Sequence, residues 1–386
     1  MSNKKQIVFI EYVPTIPTLK IARSLKLTGK YETTLVVFSK IDKSLLQKEF
    51  DEIIMLDLQH KIDPRNILKL LKKISNGEVL KFFKAIRNLN PYLFQITGPD
   101  LFTVILMFIT KKKPKIYFAY DIWEFFKKKF SLENLGVKEF FQTNIEKICF
   151  RKADGILHKG TKGELNLLTY QINKLDLTFI PGCLEERIYL PKNKKSKELH
   201  LVYAGGPLAS WKGRISFMKI LRLITSQGIH FHTYGCPINK SEKKIYLKES
   251  KKNRYYHFHE KVKVGDLTKE ISKYDYGTLL DFFDDTIINP LWGKTSMAGK
   301  IIDYVEAGIP LIVNKQSDVH SSIVEKNGIG ISIDYEDVKN IRKILEKLNY
   351  KKLQENIKKA QKDLSMRKII QDIEKFYDKI VFSKGN

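Results

Sequence analysis

In the stretch KIIDYVEAGIPLIVN, residues 300–314, Lys300, Asp303 and Glu306 recur at every third position. Helical spacing places this cation and the two carboxylates near one face. Gly308 suits a helix C-cap, Pro310 prevents continuation, and the β-branched run behind them predicts a buried strand. A carboxylate at the C-terminal edge of a parallel sheet can accept both hydroxyls of a ribose. A plain amphipathic helix with a capping glycine would read the same way. Two further patterns invite metal chemistry, the HxH pairs His230/His232 and His257/His259. Each pair shares one face of a short strand, and no carboxylate or cysteine is spaced beside them in sequence, so they read as half-buried strand histidines and no metal is expected. The three cysteines, Cys149, Cys183 and Cys236, form neither a CxxC pair nor a disulfide framework, which fits a reducing cytoplasm.

Elements that would position these groups alternate along the chain. Apolar runs at 7–10, 34–38, 52–58, 93–97, 116–119, 155–158 and 177–180 predict buried parallel strands, with helices expected over 15–30, 64–89, 100–110 and 132–151. A lysine-rich, aperiodic stretch at 186–198 (ERIYLPKNKKSKE) reads as a linker. The alternation then restarts, with strands at 199–204, 229–234, 255–259, 276–282, 310–314 and 330–333. Helices are expected at 214–226, 242–250, 266–273 and 298–307, and from 336 the chain is nearly all helix former. The fold class is α/β, built as two doubly wound Rossmann-like units. Their expected limits are 1–190 for an N-terminal acceptor domain and 196–364 for a C-terminal donor domain. A terminal helix over 365–386 is expected to pack back towards the first.

The stretch TSMAGKIIDYVEAGIPLIV, 295–313, resembles the donor-site signature of bacterial GT-B glycosyltransferases of the group 1, family 4-like kind: a lysine, an acidic-Tyr pair, then Ala-Gly-x-Pro before a hydrophobic strand. The resemblance implies that Asp303 binds the ribose, with Lys300 beside it. It also sets Ser296, Met297 and Ala298 along the diphosphate, where amides at a helix N-terminus hold phosphate. VYAGGPLASWKG, 202–213, is similar to the family's glycine-rich turn. On that similarity Gly205 and Gly206 let the backbone approach the donor, and Lys212 is the lysine that stabilises the leaving diphosphate. Residues 152–168 and 179–191 resemble the end of the first domain and the passage out of it, so the likeness covers most of the chain and is weakest before Tyr117. Two departures matter. Gly206 or Pro207 stands where many retaining members have an arginine, and Thr295 stands eight before Asp303, where many carry the first of two glutamates. The stereochemical outcome is therefore open, and an inverting reaction would need a base on the N-terminal domain.

Asp121 is the first candidate for that base, because it follows the strand ending at Ala119 and so lies at the sheet's C-terminal edge, facing the expected cleft. The resemblance also puts an aspartate in this loop. Glu124, Glu11 and His158 come next. Tyr234, Gly235 and Cys236, with residues 259–262, are placed to read the nucleotide base, although a tight turn explains Gly235 equally well.

The expected activity is transfer of a sugar from a nucleotide sugar, UDP- or GDP-linked, to a cell-envelope glycan or lipid-linked acceptor. A 2-epimerase of the same fold and a non-catalytic binding subunit are the alternatives. No cofactor beyond the donor is implied. The net charge of +26 suits phosphorylated substrates or an anionic membrane. KFFK at 81–84 and EFFKKKF at 124–130 would form a peripheral membrane patch if their phenylalanines were exposed, or a solvated lysine face over core rings if not. No zinc finger or RNA-binding signature supports a nucleic-acid partner. The start, MSNKKQIVFIEYVP, reads as a first core strand and its loop, not as a signal peptide. Residues 101–110, LFTVILMFIT, are too short to span a bilayer. The protein is expected in the cytoplasm, with a peripheral position on the inner membrane face as the alternative.

Overall fold

The computed structural model describes residues 4–38, 41–55, 77–98, 101–110, 112–126, 137–192, 197–205, 215–235, 240–260, 262, 266–284 and 291–385. These divide into two compact units: Met1–Pro181 with Met366–Asn386, and Gly182–Ser365.

The first unit holds a seven-stranded, all-parallel sheet in the order β3-β2-β1-β4-β5-β6-β7. Its strands are β1 Lys5–Glu11, β2 Tyr31–Val37, β3 Glu52–Met55, β4 Leu93–Thr97, β5 Lys115–Ala119, β6 Gly155–His158 and β7 Leu175–Thr178. Ile7, Val8, Phe9 and Ile10 are all fully buried, as the centre of a sheet covered on both faces requires. Between the strands lie α1 Ile16–Leu27, α2 Gly77–Asn88, α3 Leu101–Ile109 and α4 Val137–Lys152. Thr15 caps α1, its side chain accepting from the Thr18 amide, with Pro17 in the first turn. Of the expected helix over 64–89, residues 64–76 lie outside the described residues. β7 starts two residues before its expected place, in register Gly155↔Leu175 with β6. It is an edge strand with exposed Leu175 and Asp176, so pairing on one side defines it more than apolar periodicity does.

Of the two readings of the basic aromatic stretches, the rings that are described favour core phenylalanines. Phe83 and Phe125 are buried, and Phe83 stacks on Phe102 at 5.9 Å. These two rings belong to the core, while residues 127–130 lie outside the described residues. Among the described residues no helix is long and apolar enough to cross a membrane.

The second unit carries a six-stranded, all-parallel sheet in the order β10-β9-β8-β11-β12-β13. The strands are β8 His200–Ala204, β9 His230–Tyr234, β10 Tyr256–His259, β11 Tyr276–Leu279, β12 Leu311–Asn314 and β13 Gly330–Ile333. Its helices are α5 Phe217–Thr225, α6 Lys240–Lys252, α7 Leu267–Ile271, α8 Leu291–Thr295, α9 Lys300–Glu306, α10 Asp318–Asn327, α11 Ile341–Glu346 and α12 Tyr350–Asp363. The expected linker begins as a packed strap on this unit. The Leu184 amide donates to Glu306 Oε1 at 2.8 Å and the Tyr189 amide to the Glu306 carbonyl at 2.7 Å. Gln361 Nε2 donates to the Tyr189 carbonyl at 2.8 Å. Residues 193–196 lie outside the described residues.

The last helix, α13 Met366–Gly385, belongs to the first unit. Lys5 Nζ and the Tyr92 hydroxyl meet Asp378 Oδ1, the former at 2.9 Å, and Lys384 pairs with Asp154 at 2.7 Å. Phe376 and Ile380 fill the space that a side chain at Gly155 would need.

Candidate active site

In a doubly wound sheet the loops diverge where strand order reverses, which leaves a crevice at the strands' C-terminal ends. In the second unit this point lies between β8 and β11. Gly205 follows β8 with φ 149°, a left-handed-side value that favours glycine, and its amide donates to the Tyr234 carbonyl at 2.7 Å. A Cβ at Gly205 would collide with the Lys300 side chain. Lys300 opens α9, its Nζ 5.0 Å from the centre of the Tyr203 ring. The Tyr203 hydroxyl faces Asp281 Oδ2 at 3.4 Å. Thus Gly205, Lys300, Tyr203 and Asp281 gather at one point from three elements.

Asp303, one turn further along α9, is 8% exposed, whereas Glu306 is fully buried. Glu306 holds the Leu184 amide and so anchors the strap, while Asp303 is the less deeply buried of the two carboxylates. Tyr304, between them, donates to the Thr278 carbonyl at 3.0 Å and accepts from the Ala204 amide at 2.8 Å. Its ring lies where a side chain at Gly277 would go. Burial pushes the Tyr304 hydroxyl's pKa up, so it stays a neutral hydrogen-bonding bolt between α9 and the sheet.

Met297 is fully buried, so its side chain is core. The Ala298 amide donates to His320 Nε2 at 3.0 Å, so that this amide already has an acceptor. Ser296 sits half-buried beside them. Tyr234 turns its hydroxyl to Tyr274 at 2.7 Å and stacks its ring on His259 at 4.5 Å, and Gly235 follows it at the end of β9. Gly206, Lys212 and Cys236 lie outside the described residues. Tyr203, Asp281, Tyr304 and His320 went unread in the sequence. Tyr304 stands in the signature beside Asp303, but the others meet the site only through strand order.

In the first unit the corresponding edge carries Glu11, Asp121 and His158. Glu11 ends β1 and is fully enclosed; its carboxylate accepts from the Thr15 amide at 2.7 Å and from the Thr18 hydroxyl. Desolvation lifts its pKa to about 7. Glu124 accepts from the Thr169 amide at 3.3 Å and from its hydroxyl, and neighbouring Glu146 takes the Trp123 amide at 2.7 Å. Burial raises Glu146 well above the usual carboxylate range. His158 is fully buried, with Nδ1 2.8 Å from Glu164 and Nε2 within 3.3 Å of Asp176 and 3.0 Å of Thr178. Glu124 and His158 are therefore committed to internal bonding. Asp121, in the loop after β5, is half-buried, near Lys159, whose Nζ lies 3.6 Å over the Tyr120 ring.

Residues 211–374 match the family model described as glucosyltransferase 3-like, C-terminal domain. No curated protein sequence matches the chain. Among solved structures, a glycosyltransferase from Rickettsia africae superposes with a TM-score of 0.63 at 13% identity, covering 98% of this chain and 99% of its own. Anabaena HepE, solved in complex with UDP and glucose, gives 0.63 at 13% identity over 96% and 98%. A UDP-N-acetylglucosamine 2-epimerase gives 0.56 at 12% identity over 100% and 97%. Two parallel Rossmann-like sheets with C-terminal helices form the GT-B fold. Residues 211–374 thus carry a domain of the glucosyltransferase 3-like kind, within a chain that adopts the GT-B fold.

Proposed function

We propose that the protein transfers a sugar from a UDP-sugar to a cell-envelope glycan or lipid-linked acceptor. The observation that carries this is the meeting of Gly205 and Lys300 at the strand-order reversal of the second unit, with Asp303 one turn further along α9. A bare backbone turn and a cation match a diphosphate in size and charge, and a carboxylate one turn away suits a ribose. Lys300 and Lys212 neutralise the departing diphosphate, Asp303 takes the ribose hydroxyls, and Tyr234 and Gly235 offer backbone to the base. The HepE complex with UDP and glucose supports uracil as that base. Asp121 serves as the acceptor's base if the reaction inverts, since it follows β5 at the C-terminal edge of the first unit's sheet and is less buried than Glu124 and His158. The net charge of +26 suits an anionic acceptor or a membrane surface.

A melting-temperature screen against UDP, GDP and their sugars tests the donor, since a ligand that binds only the folded state raises the midpoint. UDP-sugars are expected to raise it, and both Asp303→Ala and Lys212→Ala to abolish the shift and the transfer. An unchanged shift in both variants would overturn the assignment. The likeness to a 2-epimerase supports a second reading, epimerisation of the donor itself. Incubation of UDP-sugar without acceptor separates the two, because only an epimerase yields a new UDP-sugar.

A further inference from the structure

Five histidines line the second unit's sheet, running from its N-terminal edge at His200 and His230 to His259 at the end of β10. His200 and His230 are the first residues of the neighbouring strands β8 and β9 and pair directly in register. Their rings stack at 4.6 Å with 12° between planes. Behind them, His200 Nδ1 lies 3.0 Å from His232 Nε2, and His230 Nδ1 lies 2.9 Å from His257 Nε2. The first row continues from His232 Nδ1 to His259 Nε2 at 3.0 Å. The rings form a stacked ladder, with His232 and His257 at 4.4 Å and 16°. In front stands Glu198, whose Oε2 is 3.4 Å from His230 Nε2. One ring nitrogen from each of His200 and His230 and one Glu198 oxygen all lie within 4.8 Å of one another.

We propose that Glu198, His200 and His230 bind a first-row divalent transition ion, with Zn2+ as the reference case, at the N-terminal edge of the six-stranded sheet. In a tetrahedral zinc site with bonds of about 2.0–2.1 Å, neighbouring ligand atoms stand about 3.4 Å apart. The Glu198–His230 spacing already has that value, and the Glu198 side chain, 74% exposed, can swing to close the remainder. The ladder supplies what a histidine ligand needs behind it. When each Nδ1–H donates to the next ring's Nε2, the Nε2 atoms of His200 and His230 carry lone pairs directed away from the ladder. This second layer fixes tautomer and ring orientation. Two imidazoles and a carboxylate select zinc, cobalt, nickel or copper over magnesium and calcium. The fourth position is left to water.

The site is separate from the donor crevice. His200 opens β8 and Gly205 follows its end, so about 13 Å of strand divides the two. A bound ion clips the segment entering the sheet, at Glu198, to two adjacent strands. Calorimetric titration of the chelator-treated full-length chain with ZnCl2 is expected to show one ion per chain. CoCl2 is expected to give the intense visible bands of a four-coordinate site. Glu198→Gln and His230→Ala should each weaken zinc binding at least about tenfold, and His257→Ala, one layer back, by about tenfold. Because Glu198 is exposed, its variant keeps the fold, and an unchanged circular dichroism spectrum checks this. Failure to bind one zinc ion, or zinc binding equally tight in Glu198→Gln and His230→Ala, would overturn the proposal.

Discussion

Tyr304 shows how one hydroxyl can set a site it does not itself serve. Its single proton goes to the Thr278 carbonyl, and its oxygen takes the Ala204 amide just before Gly205. Tyr304→Phe keeps the ring and orphans a buried amide and a carbonyl, a loss of about 1–3 kcal/mol. A lower urea midpoint with an unchanged slope is the expected record, with weaker donor binding because the Gly205 turn loses its tether. In the first unit the contrast lies between Asp121 and Glu124. Asp121→Asn should lower kcat by roughly 100-fold or more if Asp121 is the base. Glu124→Gln should destabilise, since its carboxylate serves the Thr169 amide and hydroxyl, and leave kcat within a few-fold. The reverse pattern would transfer the role to Glu124. Asp303 was legible as a residue because the motif around it is local. That Glu306 belongs to the strap was not, since its partner Leu184 is 122 positions away.

At the scale of elements, buried strands read well from sequence because parallel strands covered on both faces leave uninterrupted apolar runs, as in β1 and β12. Boundaries drifted where pairing outranks composition, as at β7, or where a helix is short: α7 closes at Ile271 rather than Lys273. The histidine ladder could not be read at all. The HxH spacing fixes only which face each strand presents, whereas the register His200↔His230 and His232↔His257 decides what those faces meet. The turn after α9 is a more local case. Gly308 has φ 71°, and a Cβ there would press on the Tyr189 carbonyl 2.6 Å away. Gly308→Ala thus suffers both left-handed backbone strain and a clash with the strap that Glu306 holds. A loss of about 1–3 kcal/mol is expected, read as a lower melting temperature. Faster hydrogen exchange at the Leu184 and Tyr189 amides would locate the damage in the strap.

Across the whole molecule, the two units carry opposite buried titrations. In the second unit, burial first and then the neighbouring imidazoles push His232 down to about 2, and His200, His257 and His259 are lowered as well. The groups facing His232 are the other four histidines and Tyr274. The native unit therefore refuses protons that the unfolded chain accepts below about pH 6.5. Where the unfolded state binds more protons, stability rises with pH, so this unit weakens as pH falls through about 6.5. The slope is up to about 1.4 kcal/mol per pH unit for His232 alone. In the first unit, burial raises Glu11 to about 7 and lifts Glu146 well above its usual range. Here the native state keeps protons that the unfolded chain releases above about pH 4.5, so this unit strengthens as pH falls from about 7 towards 4.5. The lowered carboxylates Asp51, Asp378 and Glu249 lose their contribution only below about pH 4.5, and so leave the window between. Native-state hydrogen exchange at pH 7.5 and 5.5, corrected for the intrinsic rate, reads each unit separately. Between those values, protection should fall in β8, β9 and β10 and rise in β1 and α4. Glu11→Gln should flatten the first response without touching the second. Parallel movement of both units would mean that neither buried set governs stability in this range.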